Sequence, residues 1–193
     1  MRATIDVSPA VNGKAGLGRY AASLAAATAR QHPGHVHLFA NTTSSAAWPA
    51  SLAGVPNTAV KVGYKPWRLL VWFAQLTGAS WERMLPRPDV FHATEHLLIP
   101  LRHTQTVLTV HDLIYRLFPQ HQKRLNYWYL NLTMPMYVRR ADHIITVSES
   151  SKRDLMAAYD TPADKISVVY EAAAPHFQPQ PAAKIAEVCA RYE

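Results

Sequence analysis

The chain has 193 residues, and 49% of them are hydrophobic, enough for a globular domain with its own core and not the composition of a disordered or fibrous protein. A formal charge of +7 points to an acidic partner: nucleotide phosphates, an anionic membrane face or nucleic acid. One cysteine, Cys189, excludes an internal disulfide, residues 1–6 carry no signal-peptide core, and no run reaches the roughly 18 apolar residues that span a bilayer.

A first strand is expected over residues 3–7, then a loop over 8–15 containing the breakers Pro9 and Gly13. Gly16-Leu17-Gly18-Arg19-Tyr20-Ala21 opens an alanine-rich helix to about Gln31, which His32-Pro33-Gly34 stops. Strands follow over 36–40 and 58–62, separated by a Ser/Thr/Ala/Pro-rich loop with at most one helical turn. Pro66 starts a helix running from Trp67 to about Leu85, which Pro86 and Pro88 end. Residues 89–92 form a fourth strand, with His92, Glu95 and His96 at its end. The fifth, 106–110, is a run of high β-propensity that leads directly into His111 and Asp112. A helix over 120–139, interrupted at Pro135, is followed by a strand at 143–147. Ser148 caps a helix over 149–159, and a seventh strand covers 166–169. The tail, 171–193, holds three prolines and a short helical pattern at 184–191. Strands alternating with helices make an α/β domain: a doubly wound, mostly parallel, Rossmann-like sheet of about seven strands with helices on both faces. The loops after Val7, His92, Val110 and Val147 then converge at the carboxyl edge, where such sheets bind ligands.

Gly16-Leu17-Gly18 matches a glycine turn that lets backbone amides approach a phosphate at a helix N-terminus. Two features argue against a nicotinamide site: the loop before Gly16 is long, and no Asp or Glu follows the second strand to hold a ribose. Gly13-Lys14-Ala15 lacks the Ser or Thr of a Walker motif. His92, His96, His103 and His111 show no metal-ligand spacing, so neutral cleft donors are expected and no metal or other cofactor. Residues 123–132 mix basic and aromatic side chains and are expected to lie in the core rather than on lipid. The basic residues cluster on no recognition element, so nucleic acid is not an expected partner.

Four motifs in order resemble the N-terminal domain of glycosyltransferase family 4, the retaining GT-B enzymes. They are Gly16-Leu17-Gly18-Arg19-Tyr20; Asp89-Val90-Phe91-His92 with residues 107–113; residues 140–151, from Arg140-Ala141-Asp142 to Ser150-Ser151; and residues 165–170 with Phe177-Gln178-Pro179. The resemblance implies a Rossmann-like, acceptor-side domain over 1–179 and the start of an interdomain linker or helix over 180–193, with the donor-binding domain absent. It implies that Gly16, Leu17 and Gly18 stabilise the donor diphosphate. His111 would stand beside the donor sugar, supported by Asp112. Asn12, Arg19, His92, Glu95, Ser148 and Ser151 would line the cleft or meet the acceptor. The implied partners are a nucleotide-sugar, a glycan or lipid-linked acceptor and the missing GT-B half.

Retention in that family is thought to use front-face transfer without a metal, the leaving phosphate helping to deprotonate the acceptor. The isolated chain is then expected to be inactive; its single cysteine and basic charge separately lead to the expectation of a cytoplasmic protein, with peripheral contact at the inner membrane face as one option. Two departures stand out: Ala15 where the family often has a glycine, and Glu171-Ala172-Ala173-Ala174 in place of Asn-Gly-x-Asp. The alternative is a non-catalytic Rossmann-like module that binds a phosphorylated ligand or a protein.

Overall fold

The computed structural model describes residues 1–43, 47–174 and 177–192. Its strands are β1 (Ala3–Asp6), β2 (Val36–Thr42), β3 (Asn57–Lys61), β4 (Val90–Ala93), β5 (Gln105–Val110), β6 (His143–Thr146) and β7 (Ile166–Val168). They form one all-parallel sheet in the order β3-β2-β1-β4-β5-β6-β7. The chain winds outward from β1 to β3, then crosses back to β4 on the other side of β1. The carboxyl ends of β1 and β4 therefore flank the switch point, where a crevice opens because the connecting loops diverge.

The helices are α1 (Ser8–Val11), α2 (Ala15–Gln31), α3 (Tyr64–Thr77), α4 (Ile114–Leu117), α5 (Arg124–Arg140), α6 (Glu149–Tyr159) and α7 (Ala182–Tyr192). Strand alternation sends neighbours to opposite faces. Leu38 packs with Ile5, Val11, Ala25 and Ala26 beneath α1 and α2. Phe39 packs with Phe91, Leu108 and Ile144 in a larger core, closed by Trp67 and Val71 of α3, Leu130, Met134 and Tyr137 of α5, and Leu155 of α6. Both faces are covered, as the alternating pattern requires.

Several boundaries differ from the sequence expectation. Residues 8–11 are helical, because Pro9 occupies the first turn, where its missing N–H leaves no bond unmade. β2 continues through Asn41 and Thr42, which pair with Val60 and Lys61. α3 starts at Tyr64, with Pro66 inside its first turn, and stops at Thr77 because Gly78 takes a left-handed φ of 67°. Residues 82–84 form only a 3-10 turn. The helix expected at 120–139 starts only at Arg124, as α5, after a 3-10 turn at 119–121, and the short α4 at 114–117 precedes it. Pro135 does not interrupt α5; it lies on the exposed side, where water can serve the carbonyl freed one turn back. The loop expected over 41–57 contains a 3-10 turn at Ala50–Leu52; residues 44–46 lie outside the described residues. α7 is longer than its pattern and buries no residue. Among the described residues no helix is long and apolar enough to cross a membrane.

Candidate active site

The site is built on the carboxyl ends of β1, β4, β5 and β6. After β1 the chain turns through α1 and a left-handed Gly13, φ 67°, and enters α2 at Ala15. The first i→i−4 bond of α2 runs from Gly18 N–H to the Lys14 carbonyl, 2.7 Å. The amides of Ala15, Gly16 and Leu17 precede it and are free for a ligand, and the first turn holds no acidic residue. The two glycines do different work. A Cβ on Gly18 would sit 2.9 Å from the Pro9 carbonyl, so this glycine lets α1 and α2 pack. Gly16 faces open space, which leaves room for a phosphate.

This terminus is fixed from below. Lys14 Nζ donates to Glu95, 2.5 Å, and to the Tyr64 hydroxyl, 3.0 Å. Burial pulls the Lys14 pKa down, but Glu95 and Tyr64 outweigh it, and the net shift is upward. Glu95 is 2% exposed, so it anchors the turn rather than lining the cleft. Asp6, at the end of β1, accepts from the amide and hydroxyl of Ser8. Burial raises its pKa to about 7 despite those bonds. Asn12 is likewise engaged, donating to the carbonyls of Ser8, 2.8 Å, and Asn41, 2.6 Å. Arg19 is exposed on α2.

His111 follows β5. Its Nε2–H donates to the Thr94 carbonyl, 3.0 Å, and since a carbonyl can only accept, this bond places a proton on Nε2. Nδ1 faces a Glu171 carboxylate oxygen at 3.4 Å, and the Tyr20 ring meets the imidazole edge-on at 4.7 Å. The His111 backbone carbonyl accepts from the Ser151 hydroxyl, 2.8 Å. Ser148 caps α6 through the Ser151 amide, 3.1 Å. The two serines thus hold His111 and the helix in place. Asp112 does not support His111 as expected. Its carboxylate accepts from the Ile114 amide, 2.9 Å, and starts α4, because the turn after β5 sends it outward.

A pocket of about 160 Å³ joins these parts: Leu17 from the glycine turn, His111 and Asp112 from the β5 end, His96, and Tyr115, Gln122 and Asn126 from the α4–α5 segment. The His111 side chain is 16% exposed, so it faces a crevice and not packed hydrocarbon. His96 is held near pKa 4, chiefly by burial, and is neutral at physiological pH. His92 does not line this pocket. It bonds Thr109, 2.7 Å, and is also held near 4 by burial and then by His111. Among the described residues no cluster of three or more His, Cys, Asp or Glu could hold a metal.

Lys14, Tyr20, Thr94 and Glu171 were not expected as site residues, although Lys14, Tyr20 and Glu171 lie in stretches singled out in the sequence. Tyr20 could have been found, since it lies one helical turn beyond Gly16 and so shares its side of α2. Glu171 could not, because nothing local links it to a residue sixty positions earlier.

An all-parallel sheet with an anion-ready helix terminus and a histidine in one crevice makes this a Rossmann-like domain with a ligand site at its carboxyl edge. The solved structures most like it include a protein of Anabaena, Alr3699/HepE, in complex with UDP (13% identity, TM-score 0.57) and with UDP-glucose (16%, 0.57). Both matches cover all of this chain and 50% of that one. The chain belongs to glycosyltransferase family 4, whose family model matches residues 15–174. A curated relative, the O-antigen chain mannosyltransferase RfbU of Salmonella typhimurium, is 36% identical over 77 residues, which are 40% of this chain and 21% of the relative. The chain spans about half the length of the solved structures it matches.

Proposed function

We propose that this chain is the acceptor-side half of a retaining glycosyltransferase that moves a sugar from a nucleotide-sugar to a glycan or lipid-linked acceptor in the cytoplasm. The observation that carries it is the shared pocket of Leu17 and His111 at the carboxyl edge of the sheet. Negative charge develops on the departing diphosphate as the bond to the sugar breaks. Donors already in place stabilise that charge without reorganisation, and the amides of Ala15, Gly16 and Leu17 are such donors. No metal is needed for that task.

His111 suits a sugar hydroxyl. With Nε2–H committed to Thr94, Nδ1 is the ring nitrogen left for a ligand, and it is an acceptor whenever the ring is neutral. Glu171 now faces it, but that side chain is 53% exposed and a ligand can displace it. The hydroxyl then donates to Nδ1, orienting the sugar. The acceptor oxygen bonds to the anomeric carbon from the face that the phosphate leaves, and the acceptor proton passes to the leaving phosphate.

The chain spans about half the length of the solved structures it matches, so turnover by the 193 residues alone is expected to be undetectable. Joining the chain to the second half of a family relative should restore sugar transfer, and His111→Ala in that fusion should lower kcat by roughly a hundredfold or more. Transfer by the fusion that is indifferent to His111→Ala would remove the histidine from the reaction. A fusion that binds nucleotide-sugar yet never turns over would favour the binding-module reading. Binding of UDP to the fusion, followed by calorimetry, separates that case from a failure to fold.

A further inference from the structure

Four long helices cover the sheet, and two of them turn hydrocarbon outward. α6 exposes Glu149, Ser150 and Arg153, and α2 exposes Arg19, Ser23 and Arg30, as solvated helices do. α3 instead exposes Leu69, Leu70, Phe73 and Leu76, and α5 exposes Leu125, Trp128 and Leu132, each between 47% and 77%. The steps of three and four residues make one apolar stripe along each helix.

The stripes are neighbours. Arg68 donates to Asn126, 3.0 Å, the Tyr129 hydroxyl donates to the Arg68 carbonyl, 3.1 Å, and Arg140 donates to the Gln75 carbonyl, 2.6 Å. Leu69 and Leu125 line one groove of about 710 Å³, with Lys65 and Lys123 at its edge. Contiguous apolar surface on this scale marks an interaction site.

The charge of the face selects the partner. No Asp or Glu occurs between residues 62 and 81 or between 113 and 141, whereas Lys65, Arg68, Arg116, Lys123, Arg124, Arg139 and Arg140 do. Lys65, Lys123 and Arg124 are exposed. A second copy docking by two-fold symmetry would set these cations against each other. Hydrocarbon flanked by cations, with no anion, matches an anionic bilayer, which takes the side chains at its acyl boundary and the lysines at its phosphates.

We propose that the α3–α5 face seats the chain on an anionic membrane surface. The face corrects the expectation that residues 123–132 are core: only one side of α5 is. Gln122 and Asn126 belong to both the groove and the His111 pocket, so docking sets the pocket mouth beside the lipid headgroups. The proposal does not depend on sugar transfer.

Flotation of the 193-residue chain with phosphatidylcholine vesicles, with and without phosphatidylglycerol, tests it. The chain is expected to float only with the anionic vesicles. Lys65→Glu with Lys123→Glu should lower partitioning at least about a hundredfold. Phe73→Glu with Trp128→Glu should abolish it while leaving the melting curve unchanged, since both side chains are exposed. A wild-type chain that stays at the bottom of the gradient while the anionic vesicles float, or a Phe73→Glu/Trp128→Glu chain that floats as well as wild type, overturns the proposal. So does a dimer seen by light scattering that the same double substitution dissolves while no flotation occurs, because the face would then belong to a second copy.

Discussion

Glu95 and Lys14 hold the phosphate-facing turn at a single buried contact. Glu95→Ala leaves an ammonium 24% exposed with no carboxylate beneath it. The expected loss is about 3 kcal/mol, the lower end for a broken buried pair because Lys14 keeps some water. Urea denaturation would read it, and Lys14→Met combined with Glu95→Leu should recover most of the loss, since neither charge then remains buried. A second residue-scale prediction concerns pH. His92 and His96, both near pKa 4, bind fewer protons folded than unfolded between pH 4 and 6.5, so each makes stability rise with pH across that window. Asp6, near 7, binds more protons folded between its ordinary 3.8 and 7, so it makes stability fall over nearly the same range. Two groups oppose one, and stability should rise on going from pH 4 to 6.5. Asp6→Asn should steepen that rise by about 1.4 kcal/mol per pH unit in the middle of the window. An unchanged slope in Asp6→Asn would mean that the carboxylate is ionised in the fold.

At the scale of elements, α2 separates packing from binding within three residues. Gly18→Ala drives a methyl group to 2.9 Å from the Pro9 carbonyl, a backbone atom that cannot turn aside. It should destabilise the chain by about 1–3 kcal/mol. Gly16→Ala meets nothing within 4 Å and should leave the melting temperature equal or slightly higher, since alanine suits a helix better. Calorimetry on the proposed fusion should nonetheless show weaker nucleotide-sugar binding for Gly16→Ala, because the methyl stands where a phosphate would approach. α6 offers a related check. Ser148→Ala removes the cap from the Ser151 amide and should cost about 1 kcal/mol, read as a lower melting temperature.

For the whole molecule, the winding of the sheet decides where chemistry can occur. Reversal of strand order beside β1 opens the crevice, and the ends of β1, β4, β5 and β6 each deliver a polar group to one rim. α7 stands outside this architecture, with no buried residue. Removing residues 182–193 should therefore shift the melting temperature by no more than about 2 °C, because no core area is lost. A larger drop would show that α7 packs on the domain in solution.

Much of this organisation could be read along the chain. Strand runs bounded by Gly and Pro gave the strand count, and the run of residues 106–110 into His111 placed the histidine at a carboxyl edge, because a parallel strand buried on both faces has only its end free for polar groups. The helix boundaries were less legible. Pro66 looked like the start of a helix and Pro135 like a break, but a proline in the first turn or on a solvated side leaves no buried group unpaired. What the chain order alone determined was the local rule at each step: which runs are strands, which turns can meet a phosphate, which serine caps α6. Only the tertiary structure decided which polar groups are spent on the scaffold and which remain free. Glu95 and Asn12 looked available and are locked into bonds within the scaffold. The His111 imidazole takes its partners from Thr94 and Glu171, not from adjacent Asp112. Such pairings arise from the packing of distant strand ends, and no local propensity encodes them.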